Sequence, residues 1–433
     1  MGIPTRERAE RLVLRARRVL PSSDAEIIHD AAILVCDSTI EYVGPRDGLD
    51  GASTREVDLG DATLMPGLFD CHVHLSFDGD INGDGAPADD ARLAVVMARN
   101  AQLLLNAGVT TARDLGSAST VAPTVRDAIS ERLIPGPRLQ VANAPLTVTG
   151  GHAWRLGGEA DGVDAIQRKV RQLRKTGADI LKIMTTGGFM TAGSRPWERR
   201  FSEPELAAAC DEAHRLGMRV TTHAQSVEGV RAAVQAGVDS IEHCAWVTRD
   251  GIRFDSDVAA LIASGGVPVC PTMNAACVAD AYFCPWGPRQ QVIENLRRMR
   301  ESGITLIAGT DCGIPLVPAD AYFDGLAVMA ESGMSTREVI RSATTDAAAA
   351  CGLGEETGAL TVGRAADIIG VRGDPTVDIA AMREPVLVMA RGMLRHITPP
   401  RQLRTPDYHA QAQRLQQRLH RDSGRAPSAL QPC

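Results

Sequence analysis

Short apolar segments alternate with longer amphipathic ones through the middle of this chain. Eight of the short segments predict buried strands, at residues 64–70, 109–115, 138–142, 179–184, 219–223, 240–243, 267–271 and 305–310. Amphipathic stretches between them, such as 202–216 and 227–236, predict helices, and Ser202 followed by Glu205 is typical of a capping box. Strands that alternate with helices predict a parallel α/β sheet, and eight of them favour a TIM-like (β/α)8 barrel over residues 63–357.

The two ends of the chain have a different pattern, in which short alternating segments are separated by turn residues. These strand-like segments are at residues 11–16, 32–36, 40–44, 358–371 and 386–390. The pattern predicts a small β domain in residues 1–62 and a matching piece in residues 358–398. The remainder, 399–433, is polar and predicts either a surface helix or a disordered tail.

Two histidines, His72 and His74, lie in the apolar segment 66–75. Residues i and i+2 of a strand point to the same side, so both imidazoles can hold one metal ion from a single rigid element. Such a pair can also be purely structural or half-exposed, and the motif alone does not decide between these hypotheses.

Four further residues of metal-binding type interrupt or end later apolar segments: Lys182, His223, His243 and Asp311. In a closed β/α barrel, functional groups collect at the carboxyl ends of the strands. Together with the two histidines, these residues make six groups that are predicted to meet at one mouth of the barrel. This convergence favours a metal centre over a structural histidine pair.

Lysine is rare in this chain, which makes Lys182 informative. Three of the 46 basic residues are lysine, and Lys169 and Lys175 belong to a charged, helix-like stretch. Lys182 lies inside an apolar strand, where lysine is uncommon unless it is paired. Arginine is too basic to be a nucleophile, whereas a desolvated lysine can lose its proton and react. Lys182 is therefore predicted to be functional, with a side chain that extends from a strand end to solvent as the alternative.

Short segments around these residues are distinctive: Leu181-Lys182-Ile183-Met184-Thr185-Thr186-Gly187-Gly188, Thr222-His223-Ala224, Ser240-Ile241-Glu242-His243 and Gly309-Thr310-Asp311. They resemble the amidohydrolase superfamily, in the branch that binds two metal ions through a carboxylated lysine. The resemblance extends from about residue 12 to about residue 396 and is closest to prolidase-like, imidazolonepropionase-like and ochratoxinase-like hydrolases. It implies that the two terminal β segments form one composite β-sandwich beside the barrel.

The resemblance also implies a ligand set for two divalent cations. It assigns His72, His74 and Asp311 to a first, more buried cation, and His223 and His243 to a second. Lys182, carboxylated by carbon dioxide, would bridge both cations together with a hydroxide. Zinc suits this nitrogen and oxygen donor set, with manganese or cobalt as alternatives. Asp311 would accept a proton from water and pass it to the leaving amine.

Two further residues are predicted to meet the substrate. His152 follows the third predicted strand, and a similar histidine in prolidase-like relatives helps to polarise the substrate carbonyl; an ordinary hydrogen-bonding loop histidine is the alternative. Several peptidase-like relatives have a tyrosine two positions after the fifth-strand histidine, where this chain has Gln225. This departure favours a neutral amide, carbamate or lactam substrate. Three loop arginines could still bind a carboxylate: Arg195, Arg199 and Arg200.

The loops after the fourth and seventh predicted strands, 187–201 and 274–289, carry aromatic residues in a chain that has few of them. These aromatic residues are Trp197, Tyr282, Phe283 and Trp286. Because such loops carry substrate contacts in barrels, they favour an apolar pocket, although ordinary loop packing is an equal alternative.

Composition limits the partners and the location. The net charge is −7, with no basic stripe, so nucleic acid is not a predicted partner. No apolar run reaches the roughly 20 residues of a membrane span, and no secretory signal is evident, so a cytoplasmic protein is expected. Among the ten cysteines, Cys71 and Cys312 are predicted to be small buried residues. A homo-oligomer is expected, and the remaining histidines are predicted to be surface residues: His29, His214, His396, His409 and His420.

The sequence thus predicts a metal-dependent hydrolase of a small-molecule amide-type C–N bond, as in an N-acyl amino acid, a dipeptide, an aryl amide or a carbamate. One alternative is a one-metal cyclic-amide hydrolase or deaminase of the imidazolonepropionase type, against which Lys182 argues. Another is a non-catalytic scaffold with the same fold. Such relatives have typically lost ligands, whereas all six positions are filled here.

Overall fold

The computed structural model describes residues 11–49, 55–77, 79, 89–118, 120–278 and 287–395, and the predicted polar tail lies outside these residues. The strands are β1 (Arg11–Val19), β2 (Ile28–Cys36), β3 (Thr39–Pro45), β4 (Arg55–Asp58), β5 (Ala62–Pro66), β6 (Leu68–Val73), β7 (Val109–Asp114), β8 (Arg138–Val141), β9 (Ile180–Met184), β10 (Arg219–Ser226), β11 (Ser240–Thr248), β12 (Gly251–Ile252), β13 (Val269–Cys270), β14 (Ile368–Arg372), β15 (Pro385–Ala390) and β16 (Met393–Arg395). The helices are α1 (Asp90–Asn106), α2 (Val121–Ser130), α3 (Val163–Lys175), α4 (Glu203–Arg215), α5 (Val227–Gln235), α6 (Ser256–Ser264), α7 (Arg289–Glu301), α8 (Tyr322–Glu331), α9 (Thr336–Ser342) and α10 (Thr345–Ala350). The chain is a mixed α/β protein, as predicted.

Strands from both ends of the chain pair in one eight-stranded sheet. Its order is β16–β15–β14–β5–β1–β2–β3, and β4 pairs with β1. β14 is antiparallel to β5, with Gly370 opposite Leu64, and so joins the C-terminal segment to the N-terminal one. Leu14, Ile33 and Ile368 are fully buried in a core that both segments share. This composite sheet explains why strand-like patterns appear at both ends of the sequence.

The first predicted barrel strand, residues 64–70, is divided between two sheets. β5 belongs to the composite sheet and β6 to a parallel sheet, and Gly67 separates them. A Cβ atom at Gly67 would lie 2.1 Å from Thr110 Oγ1, so the backbone passes its neighbour at a distance that glycine permits. The apolar run concealed this change of sheet, and the parallel part of the fold begins at Leu68.

Two sheets of parallel strands follow. β6–β7–β8 form one, and β9–β10–β11–β13 form the other, with the short β12 antiparallel to β11. Isolated parallel bridges join these sheets at both sides: Leu146–Ile183, Val269–Leu306 and Val73–Cys312. The backbone pairing therefore runs in a closed circuit, in the chain order that the sequence predicted.

The last two predicted strands are much shorter in the structure. β13 keeps two residues of the predicted strand at 267–271, and the segment 305–310 is assigned a single bridge. This segment still bonds to both of its neighbours through the backbone: Ile307 N donates to Val269 O, and Cys71 N donates to Ala308 O, each over 2.9 Å. It therefore completes the circuit without forming a regular strand.

The helices bury one face each. In α3, Ile166, Val170 and Leu173 are buried at helical spacing. α4 begins as predicted, because Ser202 is its N-cap and Ser202 N donates to Glu205 Oε2 over 2.8 Å. Within the described part of the chain, none of the helices combines the length and the apolar character that crossing a bilayer requires.

Candidate metal centre

His72 and His74 meet Asp311 where β6 ends. The Nε2 atoms of the two histidines are 3.3 Å apart, and Asp311 Oδ1 lies 3.3 Å from His72 Nε2 and 3.1 Å from His74 Nε2. The three donor atoms face one point and fit a single cation. We call these residues the first ligand group.

Lys182 reaches the same point from β9. Its Nζ lies 3.4 Å from His72 Nε2, and the residue is 1% exposed. Burial lowers the pKa of Lys182 to about 8. A substantial fraction of the amine is therefore neutral near pH 7–8, which is the form that reacts with an electrophile.

His243, His223 and His152 extend the cluster from β11, β10 and the segment after β8. The ring centroids of His72 and His243 are 5.1 Å apart, those of His243 and His223 are 4.5 Å apart, and those of His223 and His152 are 4.7 Å apart. We call His223 and His243 the second ligand group. The structure thus brings together all six predicted ligand positions and His152.

The outer nitrogen of each candidate ligand histidine has a protein partner. His72 Nδ1 pairs with Glu242 Oε2 over 2.9 Å, His74 Nδ1 with Gly116 O over 3.1 Å, His223 Nε2 with Gly187 O over 3.0 Å, and His243 Nδ1 with Thr272 Oγ1 over 2.9 Å. Such partners fix the tautomer and orientation of metal-binding histidines, and leave the other ring nitrogen to the cation. This donor set fits divalent cations that prefer nitrogen and oxygen ligands.

Electrostatics favour the protonation states that metal binding needs at most of the site; at His74, burial acts to lower the pKa, but Asp311 outweighs it and leaves this pKa raised. Burial lowers the pKa of His72, His223 and His243 well below the ordinary imidazole value, so these rings are neutral at neutral pH. Burial acts to raise the pKa of Asp311, but the nearby histidines and Lys182 outweigh it and leave this pKa lowered. Asp311 is therefore a carboxylate.

The backbone is left-handed at several residues of the site. The φ angles are 70° at His243, 49° at Cys244, 59° at Trp246, 55° at Thr272 and 61° at Asp311. Non-glycine residues seldom adopt such angles, and the cost is characteristic of functional sites that the surrounding structure holds in place. Asp311 is held in this way, since Asp311 N donates to His72 O over 2.7 Å.

His152 joins two loops at the mouth. Its Nδ1 lies 3.0 Å from Thr191 Oγ1, and Thr191 Oγ1 accepts from Ala153 N over 3.0 Å. Burial lowers the pKa of His152 to about 4, so the ring is a neutral hydrogen-bonding group. Trp154 and Met190, next to this contact, are 38% and 39% exposed. They provide apolar surface near His152, which the sequence did not predict.

Gln225 is a buried residue on the same strand as His223. It is 3% exposed, and its Oε1 has no hydrogen-bond partner among the residues that the structure describes. Gln225 N donates to Thr186 Oγ1 over 3.1 Å, beside Gly187. A buried acceptor without a partner is costly, and a ligand that donates a hydrogen bond can satisfy it.

The loop arginines are paired with the glutamates of their own segment. Arg195 and Arg200 contact Glu198 over 3.1 and 3.2 Å, and Arg199 contacts Glu203 over 3.4 Å. These contacts compete with a substrate carboxylate. Trp197 in this loop is half-buried, whereas three of the predicted pocket aromatics lie outside the described residues: Tyr282, Phe283 and Trp286.

Other predictions concerned residues away from the centre. His29 and His214 are exposed, as predicted, and His214 Nε2 pairs with Asp239 over 2.8 Å. Cys71 and Cys312 are buried and unlinked, as predicted. The other three histidines lie outside the described residues: His396, His409 and His420.

The sequence did not predict the residues that support the ligands. Arg113, Glu242 and Asp70 are buried next to the first ligand group, and Thr272 contacts the second. One signal was available, because Arg113 and Glu242 are charged residues within strand-like apolar segments. Charged residues are almost never fully buried unless they are paired.

Comparison with known proteins agrees with this geometry. The amidohydrolase family model matches residues 63–395. Ochratoxinase of Aspergillus niger is 28% identical over 434 residues, covering 89% of this chain and 86% of the relative. Imidazolonepropionase of Symbiobacterium thermophilum is 26% identical over 400 residues, covering 82% and 86%. A solved Xaa-Pro dipeptidase with methionine bound in its active site has a TM-score of 0.78 at 26% identity, covering 89% of this chain and 100% of that one.

The chain therefore belongs to the amidohydrolase family. It is a hydrolase of amide-type carbon–nitrogen bonds, which confirms the leading prediction from the sequence and disfavours the scaffold alternative. Metal binding is typical of the family, and the first ligand group is a candidate cation site.

Proposed function

We propose that this protein is a two-metal amidohydrolase that cleaves the C–N bond of a small-molecule amide. The observation that carries this proposal is the convergence of His72 Nε2, His74 Nε2 and Asp311 Oδ1 within 3.3 Å of one another, with Lys182 Nζ 3.4 Å from the first. The first ligand group would hold one cation, and the second group would hold the other. Zinc is the proposed metal, with manganese or cobalt as alternatives.

Lys182 is the proposed bridging ligand. Its neutral amine would attack carbon dioxide, forming an N–C bond and releasing one proton, so that the resulting carbamate presents two oxygen atoms. Two features support this: the buried amine has a lowered pKa, and it lies against His72 of the first group. Its strand also pairs directly with β10, which carries His223.

Bound cations would supply acidified water and a polarised carbonyl at this site. The protein's own groups would handle protons and orientation. Asp311 is a carboxylate in contact with both histidines of the first group, so it is proposed to take the proton from water and transfer it to the leaving amine. His152, a neutral donor at the mouth, is proposed to hold the substrate carbonyl.

The proposed substrate is a neutral amide that donates a hydrogen bond to Gln225. The unsatisfied Gln225 Oε1 supports an N–H donor, and the glutamate contacts of the loop arginines argue against a free carboxylate. Exposed Trp154 and Met190 favour an apolar group near His152. N-acyl amino acids, dipeptides, aryl amides and carbamates remain the classes to compare, and the relatives named ochratoxinase and Xaa-Pro dipeptidase fall within this range.

The proposed architecture is a (β/α)8 barrel at residues 63–357 beside a composite β-sandwich from residues 1–62 and 358–398. The closed circuit of parallel strands and the composite eight-stranded sheet support it. A cytoplasmic homo-oligomer is part of the same proposal.

The experiment is to load the purified protein with zinc or manganese and bicarbonate, and to assay the four substrate classes in parallel. Matched pairs with a free or an amidated carboxyl group test the role of Gln225. We expect hydrolysis of amidated or aryl amides to exceed that of the free acids. A strict requirement for a free carboxylate would contradict this assignment.

The one-metal alternative differs in stoichiometry. The first ligand group by itself is a three-donor cluster for one cation, which is the observation in favour of that alternative. Elemental analysis that finds close to two cations per chain supports the two-metal proposal. One tightly held cation with full activity would favour a one-metal cyclic-amide hydrolase or deaminase.

A further inference from the structure

A fully buried ion pair lies next to the proposed metal centre, although neither residue is a proposed ligand. Arg113 of β7 and Glu242 of β11 are 1% and 0% exposed, and Arg113 Nη2 contacts Glu242 Oε1 over 2.8 Å. Burying both charges is expensive, and apolar residues of similar size often stabilise a fold equally well. Stability alone therefore does not explain this ion pair, and a functional role explains it better.

The other two nitrogen atoms of Arg113 also donate hydrogen bonds. Its Nε donates to Cys71 O over 2.7 Å, and its Nη1 donates to Ser240 Oγ over 3.2 Å. Glu242 Oε1 also accepts from Thr221 Oγ1. The pair thus connects β6, β7, β10 and β11 inside the circuit of strands. These hydrogen bonds fix the positions of both side chains.

The other carboxylate oxygen of Glu242 contacts a proposed metal ligand. Glu242 Oε2 lies 2.9 Å from His72 Nδ1. Because a carboxylate paired with arginine accepts and does not donate, the proton of the neutral ring must be on Nδ1. His72 Nε2 is then an unprotonated nitrogen, and it faces Asp311 Oδ1 and His74 Nε2 over 3.3 Å each.

We propose that Arg113 and Glu242 are positioning residues that hold His72 in the tautomer and orientation needed to bind the first cation. Arg113 holds Glu242 in place, and Glu242 holds the ring. The inference rests on the proposed metal-dependent function. A second pair, the partly buried Arg138 with the buried Asp367 over 2.6 Å, lies in contact with the composite sheet and provides the comparison.

The test compares Glu242→Gln with Asp367→Asn, since each replaces a buried carboxylate that pairs with arginine. Both variants should unfold at a lower temperature than the wild type. Zinc affinity, measured by competition with a chromogenic chelator, should fall about 10- to 100-fold in Glu242→Gln, the range for partners of metal-binding histidines. It should be unchanged in Asp367→Asn. Wild-type zinc affinity in Glu242→Gln, or an equal loss in both variants, would overturn the proposal.

The double variant Arg113→Met with Glu242→Gln separates positioning from stability. It removes both charges, so the stability lost in Glu242→Gln should largely return. Zinc affinity should stay low, because no carboxylate holds the ring. Recovery of zinc affinity together with stability would show that the pair acts on the fold alone and would contradict the inference.

A measurement on the metal-free wild-type protein does not depend on the folding of the Glu242 or Arg113 variants. The ring ¹⁵N spectrum of His72, assigned by comparison with His72→Asn, should show a neutral ring protonated at Nδ1. Protonation at Nε2 would overturn the proposal. If the wild type bound no cation, the proposed function would fail, and the ring spectrum would still report separately on what Glu242 does to His72.

Discussion

His72 of the first ligand group is held by a buried carboxylate, whereas both histidines of the second group are held by neutral oxygen atoms. In the first group, Glu242 contacts His72, and Asp70 accepts from both N and Oγ1 of Thr310, next to Asp311; His74 pairs with the backbone carbonyl of Gly116. In the second group, the partners are a backbone carbonyl and a threonine hydroxyl. Charge-assisted hydrogen bonds are about twice as strong as neutral ones, so the ring of His72 is the most firmly held of these histidines.

This difference predicts that the two proposed cations would not be equivalent. A ligand set that is already ordered loses less conformational freedom on binding, and therefore binds more tightly. The first cation should then be retained during dialysis, while the second exchanges with the solution. Such an arrangement keeps one ion as a permanent part of the site and makes activity depend on occupancy of the other.

The largest expected effect is at Lys182, the proposed bridge between the two groups. Lys182→Arg keeps a positive charge but cannot form a carbamate, so both cations lose their shared ligand. Turnover should fall by at least ~10³-fold, because the loss of metal catalysis amounts to several kcal/mol of the barrier. Metal content and turnover are measured together, with Lys175→Arg, an exposed lysine in α3, as the control. A Lys182→Arg enzyme with normal metal content and turnover would refute the shared-ligand role.

The next largest effect is expected at Asp311, where one substitution distinguishes proton transfer from metal binding. Asp311→Asn retains the shape of the residue but cannot accept a proton, so kcat should fall by at least ~10²-fold. The second group and Lys182 do not require Asp311, and the cation they hold should remain. The exposed Asp211→Asn is the control. Near-normal kcat in Asp311→Asn would assign the proton transfer to another group.

A smaller effect is expected in the second group. Thr272→Val removes the hydroxyl partner of His243 Nδ1 and keeps a β-branched side chain at the same left-handed position. The second cation should bind about 10-fold more weakly, at the low end of the range for such partners. Zinc titration resolves the two binding steps, and the control is Thr344→Val, which removes a buried hydroxyl that donates to Ile340 O rather than to a candidate ligand. If Thr272→Val weakened binding of the first cation alone, Thr272 would not support the second ligand group.

The sequence was sufficient to predict that the candidate ligands lie together, because each is part of a local pattern. Lys182, His223 and His243 lie in apolar strands, and the carboxyl ends of parallel strands meet at one edge, so their convergence could be predicted from order along the chain. The composite sheet was likewise recognisable from alternating apolar positions at both ends.

The supporting residues could not be predicted in this way, because their role depends on contacts between distant segments. Glu242 and Arg113 are 129 positions apart, and their pairing depends on how the strands lie around the circuit. The change of sheet at Gly67 also depends on a contact between distant segments, because Gly67 lies against Thr110. The apolar run itself does not indicate this contact. The left-handed backbone at Asp311 is also imposed by its neighbours.

The smallest effect concerns pH, and it tests the buried carboxyl group of Asp70, which supports Thr310 next to Asp311. Burial raises the pKa of Asp70 to about 7, whereas the pKa of an aspartate in an unfolded chain is about 3.9. Between these values the folded metal-free protein holds a proton that the unfolded chain releases, so stability should fall as pH rises from about 4 to about 7. Asp70→Asn does not titrate and should show a shallower fall in the urea midpoint over this range.

The fall should not vanish in Asp70→Asn, because burial also raises the pKa of Asp114, near His74, to about 6, and this acts in the same direction. Thr272→Val should keep the wild-type slope, since neither Thr272 nor the carbonyl of Gly187 titrates in this range. An equal slope in the wild type and Asp70→Asn would show that Asp70 is not a source of the pH dependence. An altered slope in Thr272→Val would show that the second group also depends on charge, and the contrast between the two groups would then be wrong.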